Sequence, residues 1–167
     1  ALTRMRTVPG RMEVVPGAYG TPKVVVDYAH TPDALEKVLT GLAAQCRGRL
    51  ICVVGCGGNR DRGKRPEMAQ VASNLSDHLW LTSDNPRGEA PADILHDMLS
   101  GLSMEQRQHA SAVEDRGAAI AQAVRSASVD DLVVIAGKGH EDTQEIAGVK
   151  YPFSDVAYVE NMFKENA

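Results

Sequence analysis

A chain of 167 residues suits one domain with a substantial core, and 43% hydrophobic with 24% charged residues is ordinary for a soluble globular domain. The net charge of −4, with its basic residues clustered locally, gives no reason to expect a nucleic-acid partner. The longest apolar runs, such as "LVVIA" at 132–136, are far too short to span a bilayer, and no signal-peptide pattern is present.

Three cysteines, Cys46, Cys52 and Cys56, make no even framework, and C-x-x-x-C is neither a zinc nor a thioredoxin spacing. They read as small buried apolar side chains in a reducing, cytoplasmic compartment. The chain opens on Ala1 with "ALTRMRTVPGRMEV", which reads as a piece of a longer protein. Residues 1–12 are expected to be the tail of a preceding domain plus a linker, and 13–167 the domain itself.

In chain order, "KVVVDYA" (23–29) is a β-branched run that predicts a buried strand. Thr31 and Pro32 then supply an N-cap and a first-turn proline, and Leu35, Val38, Leu39, Leu42 and Cys46 share a helical face. "RLICVVG" (49–55) predicts a second strand. A glycine-rich loop follows, and Pro66 is expected to open a helix with Met68, Val71, Ala72 and Leu75 on one side. "DHLWLTS" (77–83) is a third strand, and Ile94, Leu95, Met98, Leu99 and Leu102 mark the next helix. "HASAVED" (109–115) is a weaker strand signal before an alanine-rich helix around Ile120 and Val124. "DLVVIAG" (131–137) is the strongest strand signal; "QEIAGVKYPF" (144–153) reads as a small hairpin, and Ser154 caps a last helix. Near-continuous apolar strands alternating with amphipathic helices predict an α/β fold: a doubly wound, mostly parallel, Rossmann-like sheet with helices on both faces.

In such a sheet, ligands bind beyond the carboxyl ends of the strands. Those ends deliver "DYAHTPD" (27–33), "GCGGNRDRGKRP" (55–66), "SDNPRGE" (83–89) and "GKGHED" (137–142), whereas the opposite ends carry plain connectors such as "SVDD". A sheet with a purely structural role has no reason to be polar on one rim only, so this rim is the expected ligand site.

Singly, the motifs leave alternatives open. His30 could cap or pack at a helix start, Glu141 beside Lys138 could be a local ion pair, and the run from Arg60 to Arg65 could be a solvated charge patch. Gly55, Gly57 and Gly58 favour close backbone approach to a ligand, and Arg87 offers a planar fork suited to a carboxylate. From Gly58 the loop runs G-x-x-x-x-G-K, one residue short of a P-loop. Arg65 stands where a Ser or Thr would hold the magnesium ion, so this loop is not expected to cradle ATP phosphates.

"DYAHTPDAL", "GCGGNRDRGKRP", "TSDNPR" and "AGKGHED", in this order and spacing, closely resemble the C-terminal domain of the Mur ligases. Within that family they resemble the branch that adds meso-diaminopimelate to UDP-N-acetylmuramoyl-L-alanyl-D-glutamate in peptidoglycan synthesis. The resemblance covers essentially the whole chain, with "GRMEV" (10–14) similar to the family's junction between central and C-terminal domains.

It implies ATP-dependent amide-bond formation through an acyl-phosphate. The P-loop and the ligands of Mg2+ would lie on a central domain that this sequence lacks, leaving the fragment inactive alone and without catalytic or metal-binding residues of its own. It further implies that Arg11, Asp27 and His30 contact ATP, and that Arg60, Asp84, Asn85, Arg87, Gly137 and Glu141 hold diaminopimelate. The DNPR arginine favours diaminopimelate over lysine, because lysine lacks the distal carboxylate. A lysine-adding or folylpolyglutamate-type ligase domain, or a stand-alone module for an anionic metabolite, is the competing reading. The UDP-muramoyl dipeptide and ATP would be met through the missing domains, with the protein a monomer.

Overall fold

The structure, a computed structural model, describes residues 8–167. Its centre is a sheet of strands β1 (Glu13–Val15), β2 (Lys23–Asp27), β3 (Leu50–Cys56), β4 (His78–Ser83), β5 (Ala110–Ala112) and β6 (Leu132–Ala136), in the spatial order β1-β2-β6-β3-β4-β5. Strands β2 to β6 are mutually parallel, while β1 runs antiparallel along β2. The expected α/β, doubly wound sheet is therefore present, with an antiparallel edge strand that the sequence reading did not foresee.

The helices are α1 (Pro32–Ala43), α2 (Lys64–Leu75), α3 (Pro91–Leu99), α4 (Met104–Arg107), α5 (Arg116–Ser126) and α6 (Asp155–Glu165). Strand alternation sorts the core into two layers. Val25, Cys52, Val54, Leu81 and Val134 face α1, α2 and α3, while Val24, Val26, Val53, Val133 and Ile135 face α5 and α6. Both faces being covered is what lets β2, β3 and β6 be apolar along their whole length.

Local signals set most boundaries. The Thr31 hydroxyl accepts from Ala34 N–H at α1, the Asp115 carboxylate from Ala118 N–H at α5, and the Ser154 hydroxyl from Ala157 N–H at α6. Two expectations need correction. Helix α2 begins at Lys64 rather than Pro66, because Gly63 is already helical (φ −62°, ψ −27°) and leads straight in. Leu102 lies beyond α3, in a turn before α4, whose start is closed by a reciprocal Ser103–Gln106 capping box. The weak "HASAVED" signal yields only the three residues of β5.

The hairpin is β7 (Thr143–Ile146) with β8 (Val149–Pro152), closed by Ala147 and Gly148, both at positive φ, as a two-residue turn requires. No helix among the described residues is long and apolar enough to cross a membrane.

Between β2 and β3 lies β6, which the chain reaches last. The crossover from β2 to β3 runs through α1 on one face, and the return from β5 to β6 runs through α5 on the other. Loops leaving the carboxyl ends of these strands diverge at this switch, which opens a crevice.

Candidate functional site: a charged crevice on the carboxyl rim

The crevice holds a cavity of about 470 Å³. Its walls come from the four rim loops: Tyr28 and His30 after β2, Gly57 and Arg60 after β3, Asp84, Asn85 and Arg87 after β4, and Gly137 and Glu141 after β6. Of the residues singled out in the sequence, His30, Arg60, Asp84, Asn85, Arg87, Gly137 and Glu141 all line it.

Arg11 and Asp27 do not line it. Arg11 stacks its guanidinium 5.6 Å from the centroid of the Tyr28 ring, beside His30, whose ring meets Tyr28 edge-on at 4.7 Å. Asp27 is buried, with its carboxylate accepting from Met12 N–H and Ala29 N–H, both at 2.8 Å. That carboxylate ties the segment leading into β1 to the end of β2.

The β3 loop owes its path to glycine. A Cβ at Gly58 would collide with the Pro86 carbonyl, and one at Gly57 would stand 2.8 Å from the Arg87 guanidinium. The loop and the "DNPR" turn therefore touch backbone to backbone, joined by Gly58 N–H to the Asn85 carbonyl at 2.8 Å. Gly137, at φ +112°, lies against Asp84 in the same way, since a Cβ there would reach 2.8 Å from its Oδ2.

The charges divide into those already committed and those still free. Lys138 is fully buried and donates to Asn85 Oδ1 (3.0 Å), Glu141 Oε2 (3.1 Å) and the Thr143 carbonyl (2.7 Å). Asn85 also donates through Nδ2 to Glu141 (3.1 Å), so these three side chains form one unit.

Arg116, equally buried, makes a paired contact with Asp155 at 2.8 Å and donates to the carbonyls of Ser83 (3.0 Å) and Ala136 (3.2 Å). These are the last residues of β4 and β6, immediately before Asp84 and Gly137. Arg65, 1% exposed, bonds Glu89, Asp97 (2.9 Å) and the Gly57 carbonyl (3.2 Å). Hydrogen bonds from Arg65 hold both Glu89 and Asp97 below their ordinary carboxylate pKa values.

The residue that spoils the P-loop pattern is thus a clamp under the glycine loop. Arg65 belongs to no solvated patch, whereas Arg60, Asp61 and Lys64 are exposed at the cavity. Sequence reading left Arg65, Arg116 and Lys138 out of the site; the local Lys138–Glu141 ion pair, one of the readings left open, is present, and no local pattern marks Arg65 or Arg116.

Asp84 is the free anion. Burial pushes its carboxyl pKa above the ordinary 3.8, although Arg116 and Lys138 pull it down, and its carboxylate accepts no hydrogen bond from a described residue. A buried carboxylate facing a cavity without a partner suits a cationic group. Among the described residues Arg60 donates only to the neighbouring Asn59 carbonyl (3.2 Å), which keeps most of its fork open. Cys56 also borders the cavity, but burial pushes its thiol up to about 12, which leaves it unreactive.

A family model described as "Mur ligase, glutamate ligase domain" matches residues 10–139, which include every rim loop up to Gly139. The chain belongs to the Mur ligase family. This Mur ligase domain is 55% identical over 156 residues to a UDP-N-acetylmuramoyl-L-alanyl-D-glutamate–2,6-diaminopimelate ligase of Coxiella burnetii, covering 93% of the chain and 31% of that relative. A solved structure of a ligase of that same name superposes with a TM-score of 0.89 at 44% identity, covering 98% of the chain and 33% of the other.

More distant is a bifunctional folylpolyglutamate synthase/dihydrofolate synthase from Yersinia pestis, solved with AMPPNP and a Mn ion. It matches with a TM-score of 0.60 at 25% identity over 78% of the chain and 28% of its own length. The Mur ligase domain thus spans about a third of the curated relatives it matches, 31% in the Coxiella burnetii case.

Proposed function

We propose that the chain is the amino-acid-binding part of a ligase that joins meso-diaminopimelate to UDP-N-acetylmuramoyl-L-alanyl-D-glutamate at the expense of ATP. The observation that carries this reading is the pairing, in one cavity, of guanidinium groups that keep free donors, most of the Arg60 fork and Nη2 of Arg87, with a buried carboxylate that has no partner among the described residues. Diaminopimelate has an amino-acid group at each end, so an enzyme that acylates one end must grip a zwitterion at the other. Arg87 and Arg60 supply cations for the distal carboxylate, and Asp84 with Glu141 supplies anions for the distal ammonium. Asn85 and Gly137 shape the wall between them.

In this reading the reacting amine of diaminopimelate attacks the carbonyl carbon of the acyl-phosphate made from the D-glutamate carboxylate. The C–N bond forms, inorganic phosphate leaves with the electron pair of the C–O bond, and the amine loses a proton. The chain's part is to fix the far end so that the amine arrives in line.

ATP phosphates and Mg2+ are assigned to a P-loop domain outside this sequence, with residues 1–12 leading from it and 13–167 forming the C-terminal domain. The Tyr28, His30 and Arg11 cluster fits the base or ribose of the nucleotide, since aromatic rings and a guanidinium suit a flat heterocycle. Asp27 would need to release a backbone partner before it bound ribose. The same reading makes the protein a cytoplasmic monomer.

Relatedness supports this reading over the folylpolyglutamate-type one, 55% identity against 25%. The test is ligation by the full-length enzyme, compared with meso-diaminopimelate and with lysine, in the wild type and in Arg87→Ala. The wild type should prefer diaminopimelate. Arg87→Ala should lose that preference with a cost of about 2–5 kcal/mol in diaminopimelate binding. Equal use of lysine by the wild type would defeat the substrate assignment.

A further inference from the structure

Glu145 has no part in the function proposed above and does not border the main cavity. It lies in β7, beside a second cavity of about 440 Å³ that shares Arg87 with the first. Both the backbone and the side chain of Arg87 meet this neighbour. The Arg87 backbone is left-handed at φ +53°, a conformation uncommon for a residue with a side chain. It is held there from both sides by the hairpin: Arg87 N–H donates to the Glu145 carbonyl at 3.0 Å, and Ala147 N–H donates to the Arg87 carbonyl at 2.7 Å. Glu145 N–H in turn donates to Asn85 Oδ1 at 3.0 Å, tying β7 to the other end of the "DNPR" turn.

The side chain is held as well. Arg87 Nη1 donates to the Gly58 carbonyl at 3.0 Å, and Arg87 Nε faces Glu145 Oε2 at 3.6 Å. Nη2 has no partner among the described residues. A planar guanidinium engaged at Nε and Nη1 has one direction left for Nη2.

We propose that Glu145 is a positioning residue that determines specificity: it holds the Arg87 guanidinium so that its free edge meets the distal carboxylate of the amino-acid substrate. Glu145 acts through Arg87 and touches no substrate itself. The inference rests on the diaminopimelate reading, so its test keeps the two separable.

The test is a double-mutant cycle of Glu145→Gln and Arg87→Ala in the full-length ligase, reading KM for meso-diaminopimelate against kcat. Glu145 is half-buried at the surface, and its backbone bonds survive the change to Gln, so the variant keeps the fold. Glu145→Gln should raise KM about threefold to fivefold, the worth of a partly exposed ion pair, and leave kcat unchanged. In the Arg87→Ala background the same change should do nothing further.

A KM that is unchanged or lowered by Glu145→Gln, or an equal effect with and without Arg87, overturns the role of Glu145 while the substrate reading stands. A KM that does not respond to Arg87→Ala overturns the substrate reading itself, and this proposal with it.

Discussion

Two groups of cations surround the same cavity, and they differ in what is left over. Arg65, Arg116 and Lys138 are buried and bond carboxylates together with the backbone carbonyls of Gly57, Ser83, Ala136 and Thr143, with Arg65 Nε the one donor of the three side chains left without a partner among the described residues. Arg60 and Arg87 sit at the cavity with donors unused. The first group fixes where the loops are, and the second meets what enters. A polar rim can therefore carry many charges of one sign without each of them being a ligand contact. Donors left over at the cavity, more than charge, separate the two roles.

Replacing one cation of each kind should break this comparison if it is wrong. Arg116→Ala leaves Asp155 charged and fully buried, with two strand-end carbonyls unpaired, and should cost about 3–5 kcal/mol in urea unfolding. That is a large share of the stability of a single domain. Arg60→Ala should stay within about 0.5 kcal/mol in the same measurement, because its partner is one exposed carbonyl. Comparable losses in both would erase the distinction.

A smaller effect concerns Asp84. Burial, the leading cause, raises its folded-state pKa above 3.8, so diaminopimelate binding through an ionised Asp84 is at full strength above the raised value and falls as pH drops through it. For folding the sign is opposite: between 3.8 and the raised value the folded state holds the proton more tightly, so the contribution of this group to stability declines as pH rises. KM for diaminopimelate measured against pH should show this limb in the wild type, and Asp84→Asn should flatten it. A limb that persists in Asp84→Asn would assign the titration elsewhere.

How much of this was legible in the sequence depends on the range of the signal. β2, β3 and β6 announce themselves through unbroken apolar runs, and α1 and α6 through the side-chain caps Thr31 and Ser154, whereas the α5 cap Asp115 was read as the end of a strand. The rim loops were legible because topology brings every strand's carboxyl end to one edge. β1 was not, because a three-residue strand is specified by its partner β2 and hardly by its own composition.

The buried arginines were illegible for a similar reason. Arg116 finds Asp155 39 residues later and Arg65 finds Glu89 24 residues later, and nothing near either arginine names its partner. Asp27 shows the converse, a carboxylate read as a ligand contact from its motif whose oxygens bond the backbone of residues 12 and 29.

The most direct measurement of the central claim is a chemical-shift map of the backbone amides as the ligase is titrated with meso-diaminopimelate and, separately, with lysine. The account predicts that diaminopimelate moves the amides of Gly57 to Arg60, Asp84 to Arg87 and Gly137 to Glu141 together, and that lysine leaves Arg87 and its neighbours where they were. Shifts of equal size at Arg87 with both amino acids, or shifts confined to other faces of the sheet, would contradict it.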